Sequence, residues 1–343
     1  MGIERRDFLR LAGLASAGTL LLPRWVLGAP TQSLTASWVS HLAPGSGGGP
    51  GLATLPGEVH LVILHTNDTH SRMDPFPMDG GPHQGLGGAA RRATLIRRIR
   101  REHPNVLLLD SGDIFQGTPY FNFFGGEIEL RAMSKMAYDA TTLGNHEFDN
   151  GVDGLVAMMP HASFPFVSSN YDVSGSEMEP WVRPWIIKDV GGVRVGIFGL
   201  GIAFEGLVLP SLHEGVRYTD PVAASERAVA ELRAQGCSLV ICLSHMGYRY
   251  SGDRPSDIRL AQQVEGIDLI LGGHTHTFMD APDVFEGRGG RRTLVNQVGF
   301  GGIRLGRIDV VLGPEAGANE AHTSPLKPLR WAAAGYSVNG EMA

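Results

Sequence analysis

Six short apolar runs recur along the chain, each four to six residues long and bounded by polar or turn-forming residues. They are Val59-His60-Leu61-Val62-Ile63-Leu64, Val106-Leu107-Leu108-Leu109, Val193-Arg194-Val195-Gly196-Ile197-Phe198, Ser238-Leu239-Val240-Ile241-Cys242-Leu243, Ile267-Asp268-Leu269-Ile270-Leu271 and Ile308-Asp309-Val310-Val311-Leu312. Runs this short and this apolar predict strands buried on both faces. Helical periodicity falls between them. One helix opens at Asp220-Pro221 and stops at Gly236, and a second follows Pro255-Ser256 and ends before Gly266. A third runs from Ala89 to His103, with Ala89, Ala93, Ile96 and Ile99 on its apolar face and Arg91, Arg97, Arg98 and Arg101 mainly off it. Those arginines read as a solvated face. Alternating strands and helices predict an α/β fold, in which ligands gather beyond the carboxyl ends of the strands.

The flanks read differently. Residues 1–29 carry Arg5-Arg6 followed by a short uncharged Gly/Ala-rich run and then Leu27-Gly28-Ala29. This resembles a twin-arginine export signal, and the run is too short and too weakly apolar for a spanning helix. The expected location is therefore periplasmic or extracellular, with the export machinery as a partner and no stable membrane span in the mature form. Residues 30–56 are rich in Gly, Pro, Ser and Thr and read as a flexible linker. The folded domain is expected at 57–313 and a surface tail at 314–343.

Composition narrows the class. The 343 residues hold 29 Lys+Arg against 35 Asp+Glu, a net charge of −6. An acidic balance argues against a nucleic acid polymer as partner. Cys237 and Cys242 are the two cysteines, too few for a disulfide framework. Cys242 sits in an apolar run and reads as core.

The candidate chemistry lies where the runs end. His65-Thr66-Asn67-Asp68-Thr69-His70 follows the first, and Asp110-Ser111-Gly112-Asp113 the second. Gly144-Asn145-His146-Glu147-Phe148-Asp149 follows Ala140 to Leu143, Ser244-His245 follows the fourth run, and Gly272-Gly273-His274-Thr275-His276 the fifth. A lone Asp-x-His is usually a hydrogen-bonded loop, and Gly-Asn-His-Glu can be a helix cap. Five such clusters at five strand ends are hard to dismiss together. Asp68, His70, Asp113, Asn145, His245, His274 and His276 offer oxygen and nitrogen without thiolate, a set that suits Zn, Mn, Fe or Co. They are too many for one tetrahedral ion and suit two. In Asp68-Thr69-His70 and His274-Thr275-His276, an extended backbone would point both outer side chains to one side.

The ordered set resembles the calcineurin-like metallophosphoesterases, and its variants resemble the 5′-nucleotidase and 2′,3′-cyclic phosphodiesterase branch. Twin-arginine-exported members that lack a C-terminal nucleotide-binding domain are the nearest likeness. The resemblance implies a four-layer α/β/β/α sandwich and two divalent metal ions. It implies that Asp68, His70 and His276 hold the first ion, that Asn145, His245 and His274 hold the second, and that Asp113 bridges. His146 and Asp149 would form the catalytic dyad. The implied activity is hydrolysis of phosphate monoesters, with a nucleotide as the expected small-molecule substrate, by attack of a metal-bound hydroxide. A cyclic-nucleotide phosphodiesterase, a sulfur-ester hydrolase of a related branch and a non-catalytic metal-binding protein are the alternatives. Gln297-Val298-Gly299 resembles the family's closing segment and carries no assigned chemistry. Phe115, Tyr120, Phe121, Phe123 and Phe124 form either local packing, the simpler reading, or a stacking surface.

Overall fold

The computed structural model describes residues 54–287, 290–313 and 327–337. The expected export signal and nearly all of the linker lie outside them. Two mixed sheets dominate. The first has seven strands, in the order Lys327–Ser337, Arg304–Gly313, Val59–Thr66, Val106–Asp110, Ala140–Thr141, Phe166–Val167 and Val182–Arg183. The second has six, in the order Asp283–Glu286, Arg292–Asn296, Leu269–Gly272, Leu239–Ser244, Val193–Leu200 and Trp185–Val190. Strand alternation explains how the layers stack. Leu61, Ile63, Leu107 and Leu109 meet Val195, Ile197, Ile241 and Leu271 between the sheets. Their neighbours Val62, Leu64 and Leu108 face the opposite way, onto Leu95, Ile96 and Ile99 of the helix Ala89–Glu102. On the far side, Val240, Cys242 and Ile270 pack against Ala228 and Leu232 of Pro221–Ala234 and Leu260 of Asp257–Gln263. The result is the four-layer α/β/β/α sandwich, and every apolar run becomes a strand because both its faces are covered.

The helix signals act as expected. Asp220 accepts from the backbone amides of Val222 and Ala223, and Ser256 from that of Arg259. Arg91, Arg97, Arg98 and Arg101 are exposed. Cys237 and Cys242 are buried and free.

One expectation needs correction. Within the span read as a surface tail, Lys327–Ser337 pairs antiparallel with Arg304–Gly313 and extends the first sheet at its edge. Ala332-Ala333-Ala334-Gly335 shows no alternation of apolar and polar residues, so a strand held by main-chain hydrogen bonds left no pattern to read. Among the described residues no helix is long and apolar enough to cross a membrane.

Candidate metal centre

Parallel pairing sets the site. Val59–Thr66, Val106–Asp110 and Ala140–Thr141 run parallel in one sheet, and Leu239–Ser244 and Leu269–Gly272 in the other. Their carboxyl ends deliver all five polar clusters to one rim.

There the donors converge in two groups. Asp68, His70 and His276 each offer a ligand atom within 4.8 Å of the others, and so do Asp113, His245 and His274. The Nε2 atoms of His70 and His276 are 3.0 Å apart, and that of His276 lies 3.3 Å from Asp68 Oδ1. Asn145 Oδ1 is 2.9 Å from His274 Nδ1, which brings the amide into the second group. The Nε2 of His245 is 3.9 Å from Asp68 and 3.0 Å from Asp113, so one rim holds both groups. His146 stands beside them, its ring centroid 5.4 Å from that of His70 and its Nδ1 2.9 Å from Asp149 Oδ2. Every residue expected at the site is therefore brought to it.

How they get there differs from the expectation of extended backbone. Asp68 (φ 49°), His70 (φ 48°), Asp113 (φ 53°), His274 (φ 69°) and His276 (φ 52°) are all left-handed. Each non-glycine residue in that region costs about 1–3 kcal/mol, and such strain collects at functional sites. Tight turns, not strand alternation, aim these side chains. Gly144 has no room for a side chain, because a Cβ there would sit 2.2 Å from Asp113 Oδ1.

Three residues to which sequence reasoning gave no role hold the turns. The buried Glu147 carboxylate accepts from the amides of Asp113 (2.9 Å), Ile114 (2.7 Å), Phe115 (3.4 Å) and Gly144 (2.6 Å), tying two donor loops together. Asn67 donates to Asp68 Oδ2 and to the Gly299 carbonyl. Gln297 accepts from Thr277 N and donates to the Gly273 carbonyl, so the closing segment braces the His274-Thr275-His276 loop. The signal for Glu147 and Asn67 was their place inside the motifs.

The electrostatics suit a bound cation. His245 is buried, and its Nδ1 faces the Ser111 carbonyl at 2.6 Å, a contact that turns Nε2 inward. That Nε2 lies 3.0 Å from the Asp113 carboxylate, an ion-pair distance, without the alignment of a formed hydrogen bond. His70 repeats the device, with Nδ1 3.3 Å from the Phe115 carbonyl. Burial opposes charge on His245, but Asp113 and Asp68 outweigh it and hold its pKa up at about 10. The Asp113 carboxyl is held low against the same burial, first by His245 and then by His70 and His146. The site draws positive charge to the point between these atoms, and a divalent ion meets that demand as a proton does. Burial lowers His70, and it lowers His274 to about 4, so both are neutral imidazoles as ligation requires. His146 goes the other way: its hydrogen bond to Asp149 raises its pKa against burial.

The calcineurin-like phosphoesterase pattern matches residues 61–278, the span that carries both donor groups. The chain belongs to the calcineurin-like phosphoesterase family. Snake venom 5′-nucleotidase of Crotalus adamanteus is 35% identical over 80% of this chain and 49% of its own length. Human 5′-nucleotidase is 33% identical over 79% and 50%. A 5′-nucleotidase precursor from Thermus thermophilus superposes with a TM-score of 0.69 at 32% identity, over 81% of this chain and 54% of that one. The chain thus spans about half the length of the curated relatives it matches. As a phosphoesterase-family site, the rim offers two groups of metal donors and one histidine–carboxylate pair.

Proposed function

We propose that the protein is a phosphoric ester hydrolase that works with two divalent ions and acts on nucleoside monophosphates. The observation that carries this reading is the pair of donor groups, Asp68, His70 and His276 beside Asp113, His245 and His274, whose ligand atoms lie within 4.8 Å of one another in each group. Asp68, His70 and His276 would hold one ion and Asn145, His245 and His274 the other, with Asp113 between them. Such ions, when bound, supply Lewis acidity and lower the pKa of an attacking water.

The chain's own groups do the rest. His146, with its pKa raised by Asp149, holds a proton more readily than a free imidazole, on a ring that Asp149 orients through Nδ1. Its Nε2 is thereby free to protonate the departing ester oxygen. Glu147, Asn67 and Gln297 keep the donor loops in their strained turns before any substrate arrives. The names of the relatives support a nucleotide as substrate. Purified protein loaded with Mn or Zn should hydrolyse nucleoside 5′-monophosphates faster than 2′,3′-cyclic nucleotides or sugar phosphates, with loss of substrate as the readout. Faster cleavage of the cyclic diester would move the assignment to a phosphodiesterase.

We also propose that residues 1–29 direct export and that the mature enzyme works outside the cytoplasm. Replacing Arg5 and Arg6 with Lys should trap the protein in the cytosol, and unchanged secretion would reject the signal.

A further inference from the structure

The aromatic run after Gly112-Asp113 splits in two. Phe115 (1% exposed) and Phe121 (7%) are core and stack on each other with centroids 5.6 Å apart. Phe123 (81% exposed) and Phe124 (47%) face out. With Tyr120, Pro119, Arg72 and Met73 they line an open cavity of about 270 Å³. The Arg72 guanidinium is held over the Phe76 ring, 4.3 Å from its centroid, and the Tyr120 hydroxyl donates to Asp74 at 2.8 Å. The cavity is therefore largely apolar and aromatic, with the planar cation of Arg72 and the carboxylate of Asp74, the latter engaged by Tyr120, as its charged groups.

Its position matters as much as its lining. The short helix Pro119–Phe124 starts against the first donor group: a Cβ on Gly117 would lie 3.0 Å from His70 Cβ, and the Thr118 hydroxyl donates to the Ser71 carbonyl at 2.7 Å. It ends at Gly125, whose Cβ position is 3.7 Å from the amide nitrogen of Asn150, the residue after Asp149. The segment from Gly117 to Gly125 thus runs from beside His70 to beside Asn150, the residue that follows Asp149.

We propose that this cavity receives the leaving group of the ester and favours those that carry a flat aromatic ring, such as a nucleoside with its base. The inference rests on the phosphoesterase reading, in which His146 protonates the leaving oxygen. The leaving group then departs on the side of His146 that the helix flanks. Aromatic faces and a guanidinium plane both stack on a heteroaromatic ring, and neither gains much from a polyol. The volume lies just under the ~300–1,000 Å³ of ligand pockets, which suits one ring system.

The test compares Phe123→Ala/Phe124→Ala with wild type on a nucleoside monophosphate, phenyl phosphate and glycerol phosphate. Both side chains are exposed, so the fold should survive. The proposal predicts a fall in kcat/KM of about tenfold for the nucleotide, carried by KM, a smaller fall for phenyl phosphate, and glycerol phosphate within twofold. Equal change on all three substrates, or none on any, overturns the subsite and leaves the phosphoesterase reading standing. A wild-type enzyme that cleaves none of them overturns both. A wild-type dimer that dissociates in the variant, with substrate ratios unchanged, assigns the patch to a second copy of the chain and overturns the proposal.

Discussion

The strand Val59–Thr66 has charged or ionisable groups near both ends, and they are treated in opposite ways. Near its amino end, His60 Nε2 lies 2.7 Å from Asp309 Oδ1, and Arg307 donates to both Asp309 oxygens, at 2.6 and 2.8 Å. Arg307 also reaches His103 Nε2 at 3.0 Å. Every charge there is answered by another side chain. Beyond the carboxyl end, Asp68, His70 and His276 crowd donor atoms together, and His245 Nε2 meets only the carboxylates of Asp113 and Asp68, at 3.0 and 3.9 Å. Both clusters are buried and polar. The first is saturated and can only stabilise; the second is unsaturated and keeps its capacity for something that comes from outside.

Substitutions should separate the two. The largest effect belongs to Asp113→Asn, which removes the carboxylate between the donor groups. Turnover should be abolished and metal content should fall. His146→Asn should leave metal content intact and slow turnover by roughly 10²–10⁴-fold, with a smaller loss on esters that have good leaving groups. Steady-state kinetics beside metal analysis reads both. At the saturated end, Asp309→Ala strands Arg307 in the interior and should cost about 3–5 kcal/mol in denaturant melts. Whatever protein remains folded should keep its metals and its activity per molecule. Glu147→Gln puts an amide where two backbone N–H groups need an acceptor. It should cost about 1–3 kcal/mol and also slow turnover, because the loop bearing Asp113 loses its tie.

The smallest effect is a pH dependence. Burial tends to raise the Asp309 carboxyl, but the His60 and Arg307 bonds outweigh it and hold it below its ordinary 3.8. A lowered folded-state value means stability that is present above 3.8 and lost as pH falls through the folded value. Asp309→Asn should therefore differ from wild type most at neutral pH, and the gap in melting temperature should narrow below pH 4. A constant gap would detach Asp309 from that role.

The sequence showed the fold where both faces of a strand are covered, since a run such as Leu239–Ser244 has no polar side to confuse it. It hid Trp185–Val190 and Asp283–Glu286, edge strands that are largely half-buried or exposed and so break the pattern. Phe166–Val167 is two residues, a single period and too short to show alternation, and Ala140–Thr141, equally short, was legible only through the polar cluster that follows it. The site was legible as residue types at strand ends. Its geometry was not, because Asp and His do not announce a left-handed backbone as glycine does. Nor did Glu147 announce that it serves four amides. The aromatic run was half legible: Phe115 and Phe121 pack as expected, whereas Phe123 and Phe124 line a cavity that only the turn of one short helix creates.

The central claim is that the unsaturated rim holds two cations. Metal analysis of protein reconstituted with Mn or Zn, before and after the Asp113→Asn change, tests it most directly. Two ions per wild-type chain, falling to one or fewer in the variant, is the expected result. A wild-type stoichiometry of zero, or one that Asp113→Asn leaves unchanged, would contradict it.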